Sequence, residues 1–236
     1  MIPIGDDVRG ERFPFFTYAL IGVNIVVFLF QMSLSPEALQ ALVLRWGMTP
    51  RSIAAASENP WVLSTLLTSL FLHGGWFHLI GNMLYLWIFG NNVEDRAGHA
   101  GFLVFYLLCG VAASLAEVFL KPGSAIPTIG ASGAIAGVLG AYFLLYPKAK
   151  VVLLVPVFLF FFFTVQVPAV VVLGLWFVMQ IFSGVSALGV STDSGGVAYW
   201  AHAGGFVAGM LLMPFFRCGR RSPLGYVYQC GRRTRE

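Results

Sequence analysis

The chain has 236 residues, of which 58% are hydrophobic and only 10% are charged. Soluble domains carry about a quarter charged residues, so these side chains are too apolar to cover a water-facing surface, and a bilayer must act as solvent. The net charge of +4 does not mark a nucleic-acid partner: six of the fourteen basic residues, Arg217, Arg220, Arg221, Arg232, Arg233 and Arg235, follow the last apolar run, which makes membrane lipid headgroups the expected partner.

Residues 1–15 hold Asp6, Asp7, Arg9, Glu11 and Arg12. They lack the short basic start of a cleaved signal peptide and read as a cytoplasmic N-terminal segment before a retained helix. The first apolar run covers Phe16 to Met32. From Ser33 to Thr68 a mixed stretch with Pro36, Trp46 and Pro60 reads as a structured, partly membrane-lying loop. The second span is expected from Leu70 to Phe89, ending before Glu94-Asp95-Arg96. The third covers Phe102 to Leu120, and the fourth Ile129 to Tyr146.

Val151 to Ser183 is too long for one span and too short for two with a turn. Val167 to Phe182 is expected as the fifth span, and the Phe-rich part before it as interfacial or re-entrant backbone packed on the bundle. The sixth span covers Ala198 to Phe216. The fold class is an all-α membrane protein of six transmembrane helices, one domain over residues 16–217, with a basic tail at 218–236. Six spans place both termini on one side, with eleven basic residues there against Arg45, Arg51 and Lys121 on the other. The excess puts both termini in the cytoplasm. Of the three cysteines, Cys109 lies in an apolar run and Cys218 and Cys230 in the tail. All are expected as free thiols, the two in the tail on the reducing cytoplasmic side.

With this topology, spans two, four and six run in the same direction, and each carries polar residues near its start. These are His73, His78 and Asn82 in the second, Ser132 in the fourth and His202 in the sixth. Groups at equal distance from parallel helix ends lie at one depth, and polar groups at membrane depth tend to be paired and functional. Small residues let the helices close on each other: Ser132, Ala136 and Gly140 form one stripe, with Gly133 and Gly137 beside it. Ala201, Gly205 and Gly209 form another.

A serine hydroxyl becomes a competent nucleophile when a base takes its proton, and histidine does so near neutral pH. Ser132 falls in a first helical turn, where backbone N–H groups have no intrahelical partner and favour developing negative charge. His78 and Asn82, four apart, share one helix face and both donate hydrogen bonds. Ser132 and His202 are therefore the candidate nucleophile and base. His78, Asn82 and the Ser132 amide are the candidate oxyanion donors. Asp193 is the one acidic candidate for a third member, and a dyad is the simpler reading.

The motifs resemble those of rhomboid proteases. Gly130-Ala131-Ser132-Gly133 is similar to the family's Gly-x-Ser-Gly on the fourth span. His78 to Asn82 resembles its His-x-x-x-Asn on the second, with His73 as the further upstream histidine. Ala201-His202-Ala203-Gly204-Gly205 resembles Ala-His-x-x-Gly on the sixth, and Glu94 and Arg96 resemble Glu-x-Arg after the second. The resemblance covers residues 13–217. It implies a six-helix rhomboid-like bundle that cleaves single-span membrane substrates near the outer face. The reaction would pass through an acyl-enzyme with no metal or cofactor, with small residues favoured at the cut; the compact six-span form is expected in a bacterial inner (plasma) membrane. Gly130 and Gly133 would support the site. Trp176, Phe177 and the stretch 185–197 would gate entry. One departure is Ala136, where many members place an aromatic ring on the base histidine; Tyr199 and Trp200 are the candidates to replace it.

The main alternative is a non-catalytic relative that binds and escorts membrane proteins, favoured if Ser132 or His202 were missing. A transporter gives no reason for Ser-Gly at a helix start, and the halves do not repeat. A metalloprotease would require a motif such as His-Glu-x-x-His, which the chain lacks.

Overall fold

Each of the six expected spans contains a helix, and a computed structural model describes residues 1–8, 10–158, 161–187 and 196–216, with the backbone of two tail strands, 226–229 and 232–235. The first run forms α1 (Phe15–Met32). The mixed stretch folds into α2 (Pro36–Trp46), α3 (Pro50–Ala54), a 3-10 turn over Pro60–Ser64 and α4 (Thr65–Thr68). Next come α5 (Trp76–Tyr85), a π-helical turn over Leu86–Gly90 and α6 (Asn91–Ala97), which run on as one body. The remaining helices are α7 (His99–Leu120), α8 (Ser132–Leu145), α9 (Ala169–Ala187) and α10 (Tyr199–Phe216).

By length and apolarity α1, α7 and α9 each suffice to cross a membrane, and Pro60–Phe71 with Trp76–Ala97 makes a fourth candidate bent by 82°. That bend shifts the second span from its expected bounds: its continuous helix begins at Trp76, after Leu70, and ends at Ala97, beyond Phe89. A break in a membrane helix needs its freed backbone groups satisfied. Gln31 of α1 does this, accepting from the His73 N–H at 3.0 Å and donating to the His73 carbonyl at 3.1 Å.

The all-α expectation needs correction. Ile2–Asp6 (β1), Lys150–Phe158 (β2) and Phe161–Pro168 (β3) form an antiparallel sheet in the order β1-β2-β3. The Phe-rich stretch expected as interfacial or re-entrant backbone is therefore a hairpin, and the N-terminal residues are its third strand. Its valines and phenylalanines favour extended backbone, and strand pairing satisfies the N–H and C=O groups. Val151 and Leu153 alternate inward onto the helices. In the tail, Tyr226–Gln229 (β4) pairs antiparallel with Arg232–Arg235 (β5); Cys218 and Cys230 lie outside the described residues, while Cys109 is buried and free.

At the bundle's centre α8 is buried continuously from Gly133 to Tyr142. Phe89, Phe102, Tyr106, Leu139 and Phe206 are among the buried side chains of this core, while outward-facing residues such as Phe77, Phe119, Phe182 and Phe215 are exposed and apolar. At the end away from Ser132, polar groups lock the elements. Buried Glu94 accepts from the backbone N–H of Phe16 (2.9 Å) and Thr17 (2.7 Å) and from the Thr17 hydroxyl (2.7 Å). A carboxylate from α6 thus caps the start of α1, which has no side-chain cap of its own. Arg96 Nε donates to the Tyr146 hydroxyl at 2.9 Å, holding the end of α8.

Asp6 ties the sheet to the helices, accepting from the Tyr142 hydroxyl at 2.7 Å and from Asn92 Nδ2 at 2.8 Å. Burial raises its carboxyl above the ordinary 3.8, and the hydrogen bonds from Tyr142, Val8 and Asn92 offset this only in part. Folding therefore favours the neutral form. That contribution is complete below 3.8 and is lost as pH rises through the raised value. Asp6→Asn, which stays neutral, is expected to gain thermal stability relative to wild type as pH rises through that window, measured by unfolding in detergent. Parallel pH profiles for the two proteins would contradict this.

Candidate active site

The site starts from the contact of α8 with α10. A Cβ added to Gly205 would overlap the Gly133 carbonyl, and one added to Gly209 would overlap that of Gly137. The two backbones touch, as small-residue faces in membranes allow. Glu117 of α7 fixes the start of α10, its Oε2 accepting from the Ala201 N–H at 3.1 Å, so a carboxylate again serves as a helix cap supplied by a distant helix. His202 is the next residue.

Across this contact the Ser132 hydroxyl and His202 Nε2 share a hydrogen bond of 2.8 Å. On the ring's other side, Nδ1 lies 2.9 Å from Gln180 Oε1 of α9. Trp176, one turn earlier on α9, lays its ring beside the imidazole, with centroids 5.9 Å apart and planes 31° apart. The ring beside His202 is thus Trp176; Tyr199 and Trp200 are not the replacement for the aromatic absent at Ala136. Trp200 instead packs over Gly184, where a Cβ would sit 3.0 Å from its ring. Phe177, expected with Trp176 to gate entry, stacks on Phe206 with centroids 4.8 Å apart. Both aromatics face α10. Asp193 and most of the stretch 185–197, residues 188–195, lie outside the described residues.

Ser132 is the first residue of α8, and the first amide bonded back within the turn is Ile135, to the Ala131 carbonyl at 3.0 Å. Among the described residues the amides of Ser132, Gly133 and Ala134 have no such bond and can face an anion. His78 Nδ1 accepts from the Gly74 N–H at 3.3 Å, which leaves the proton of a neutral ring on Nε2. That nitrogen points at Gly130, whose φ of +122° demands glycine. A Cβ there would lie 2.6 Å from His78 Nε2 and 3.6 Å from Asn82 Nδ2. Asn82 Nδ2 is buried with no hydrogen-bond partner among the described residues. Two donors therefore converge on the space that a glycine at 130 leaves open. His73 stands apart: its backbone is held by Gln31, and its ring packs edge-on against His78 at 5.1 Å without hydrogen bonds among the described residues.

Ser132, His202, His78, Asn82 and Trp176 line one cavity of about 1060 Å³, with walls from α5, α7, α8, α9 and α10. The arrangement, a hydroxyl bonded to an imidazole with an amide oxygen at the ring's other nitrogen and donors beside the hydroxyl, can serve the roles acyl transfer needs. Sequence reading missed Gln180 and Glu117. Each carried a signal, being a polar residue inside an otherwise apolar run.

The family model described as Rhomboid domain matches residues 60–218. Among curated proteins the chain is 31% identical over 198 residues to Rhomboid protein 1, mitochondrial, of Saccharomyces cerevisiae, covering 82% of this chain and 51% of that protein. It is 40% identical over 129 residues to Rhomboid protease GluP of Bacillus subtilis, covering 54% of this chain and 24% of that one. It is 31% identical over 144 residues to the Presenilin-associated rhomboid-like protein, mitochondrial, of Homo sapiens, covering 60% and 36%. The chain spans about half the length of the yeast protein and less of the other two.

A methyl group at residue 130 would fill the space between the His78 and Asn82 donors. Gly130→Ala is expected to slow covalent labelling of Ser132 by a fluorophosphonate probe by roughly a hundredfold, the scale of losing oxyanion contacts. Labelling at the wild-type rate by a folded variant would show that the space has no chemical role.

Proposed function

The chain belongs to the rhomboid family, and from that premise we propose that it is an intramembrane serine endopeptidase acting on single-span membrane proteins. The observation that carries this reading is the 2.8 Å hydrogen bond from Ser132 to His202 Nε2. In the reaction, Ser132 Oγ attacks the peptide carbonyl while His202 Nε2 takes its proton. The Ser132 amide, His78 Nε2–H and Asn82 Nδ2 stabilise the oxyanion. His202 then gives the proton to the leaving amine, and an ester remains on Ser132. A water molecule, deprotonated by His202, hydrolyses that ester and restores the hydroxyl.

The membrane setting follows the same reading. Six helices span, both termini lie in the cytoplasm, and the site opens near the outer face. The basic residues at the sheet end support this orientation. With 14 residues α8 is short for a bilayer, and its burial at the centre suits a helix that neighbours shield from lipid. Lipid headgroups are the expected contacts of the basic residues. The relatives' names include mitochondrial proteins as well as a bacterial one, so they do not favour a bacterial plasma membrane over an organelle's. A bond joining a nucleophile to its base has no purpose in an escort protein, which favours the protease over that alternative.

Purified protein in proteoliposomes with a tagged single-span reporter tests this. Wild type is expected to cut it, and Ser132→Ala and His202→Ala to abolish cutting. Normal cleavage by either variant would refute the dyad. Asn82→Ala is expected to fold normally and lose roughly a hundredfold in kcat, since one oxyanion donor is typically worth about 3 kcal/mol. An unfolded Asn82→Ala protein would assign that residue a structural role instead.

A further inference from the structure

Building on the protease reading, we infer that Gln180 is a positioning residue that holds His202 in the tautomer and orientation needed to take the Ser132 proton. A neutral imidazole carries one N–H, and an amide oxygen only accepts. With Gln180 Oε1 at 2.9 Å from Nδ1, the proton sits on Nδ1. The lone pair then lies on Nε2, facing the Ser132 hydroxyl at 2.8 Å. The opposite tautomer would turn an N–H toward Ser132 and leave no base. Among the described residues, no carboxylate hydrogen-bonds Nδ1.

The choice of glutamine follows from its surroundings. α9 is apolar along most of its length, and Gln180 is only 9% exposed. A carboxylate there would bring a charge into a membrane helix, whereas a neutral amide sets the tautomer at a smaller desolvation cost. An amide in such a place is itself unfavourable unless it is bonded, and its bond goes to the base.

The rest of α9 is arranged around this contact. Trp176, Gln180 and Gly184 are spaced four apart and share one face. Trp176 lies beside the imidazole, Gln180 bonds it, and Gly184 leaves room for Trp200. Leu175, Val178, Met179 and Phe182 are exposed on the other faces. One helix face thus supplies the amide at Nδ1 and the ring beside the imidazole, and both contacts depend on α9 being docked.

The test is steady-state cleavage of the single-span reporter by the full-length protein in proteoliposomes, with unfolding temperature as a fold control. Gln180→Met keeps the volume and removes the acceptor. It is expected to lower kcat roughly tenfold to a hundredfold with KM unchanged, within the span that general-base catalysis contributes. Gln180→Glu restores an acceptor. It is expected to recover most of that loss and to move the acid limb of the kcat/KM profile upward, because a carboxylate favours the protonated ring. The other titratable groups lining the cavity are His78 and Tyr85 from α5, Glu117 and Lys121 from α7, and Tyr199 from α10. They are unchanged in these variants, so a displaced limb reports the residue at 180. A folded Gln180→Met protein with wild-type kcat overturns the inference alone. So does a Gln180→Glu protein as slow as Gln180→Met with an unmoved limb. Wild type that leaves the reporter uncut, or Ser132→Ala that cuts it, overturns the protease reading and this inference with it.

Discussion

Where α8 meets α10, Gly205 lies against the Gly133 carbonyl and Gly209 against that of Gly137, with no side chain between the backbones. Serine has a short side chain. Its hydroxyl reaches a histidine on a neighbouring helix only if the axes approach this closely, and in lipid that approach is driven by packing rather than by a hydrophobic force. The 2.8 Å bond from Ser132 to His202 is therefore a consequence of the glycines along both helices. The Glu117 cap sets the other coordinate, fixing the first turn of α10 at Ala201, one residue before His202.

Three further helices complete the site, and one of them, α7, also packs Cys109 and Ala113 against the glycines of that contact. α5 brings His78 and Asn82 to the space beside Gly130, α7 brings the capping carboxylate, and α9 brings Gln180 and Trp176 to the base. The opposite end is held by a separate set of polar bonds, centred on Glu94 and Asp6. Dividing the molecule in this way separates rigidity from chemistry. The far end carries the sheet pairing and the Glu94 cap, while the near end keeps the Asn82 amide unpartnered among the described residues.

The helical part of the fold was legible because lipid imposes apolar runs with charged ends, and five of the six runs lie close to their observed bounds. The second was misplaced because its break at His73 is satisfied by Gln31, forty-two residues away. Apolar content does not encode such a bond. The sheet was missed for a related reason: Val151 to Pro168 is apolar enough to read as membrane-lying backbone, and its strand character lies in the pairing of β2 with β3 and of β2 with Ile2–Asp6. At the site, residues brought together by motif and depth were readable: Ser132, His202, His78 and Asn82. The support for the base was sought beside Ala136 and near Tyr199 and Trp200, close to the motifs themselves. It comes from α9, which carries no motif, and a lone glutamine in an apolar helix was the overlooked signal.

The most direct measurement is to label the protein in membranes with a fluorophosphonate and locate the adduct by peptide mass spectrometry, in wild type, His202→Ala and Gly209→Leu. Gly209→Leu places a side chain where α10 meets the Gly137 carbonyl and leaves every site residue intact. The expected result is a single adduct on Ser132 in wild type, lost in both variants. An adduct on another residue, or full labelling of Ser132 in Gly209→Leu, would contradict the claim that close backbone contact between α8 and α10 creates the reactive serine.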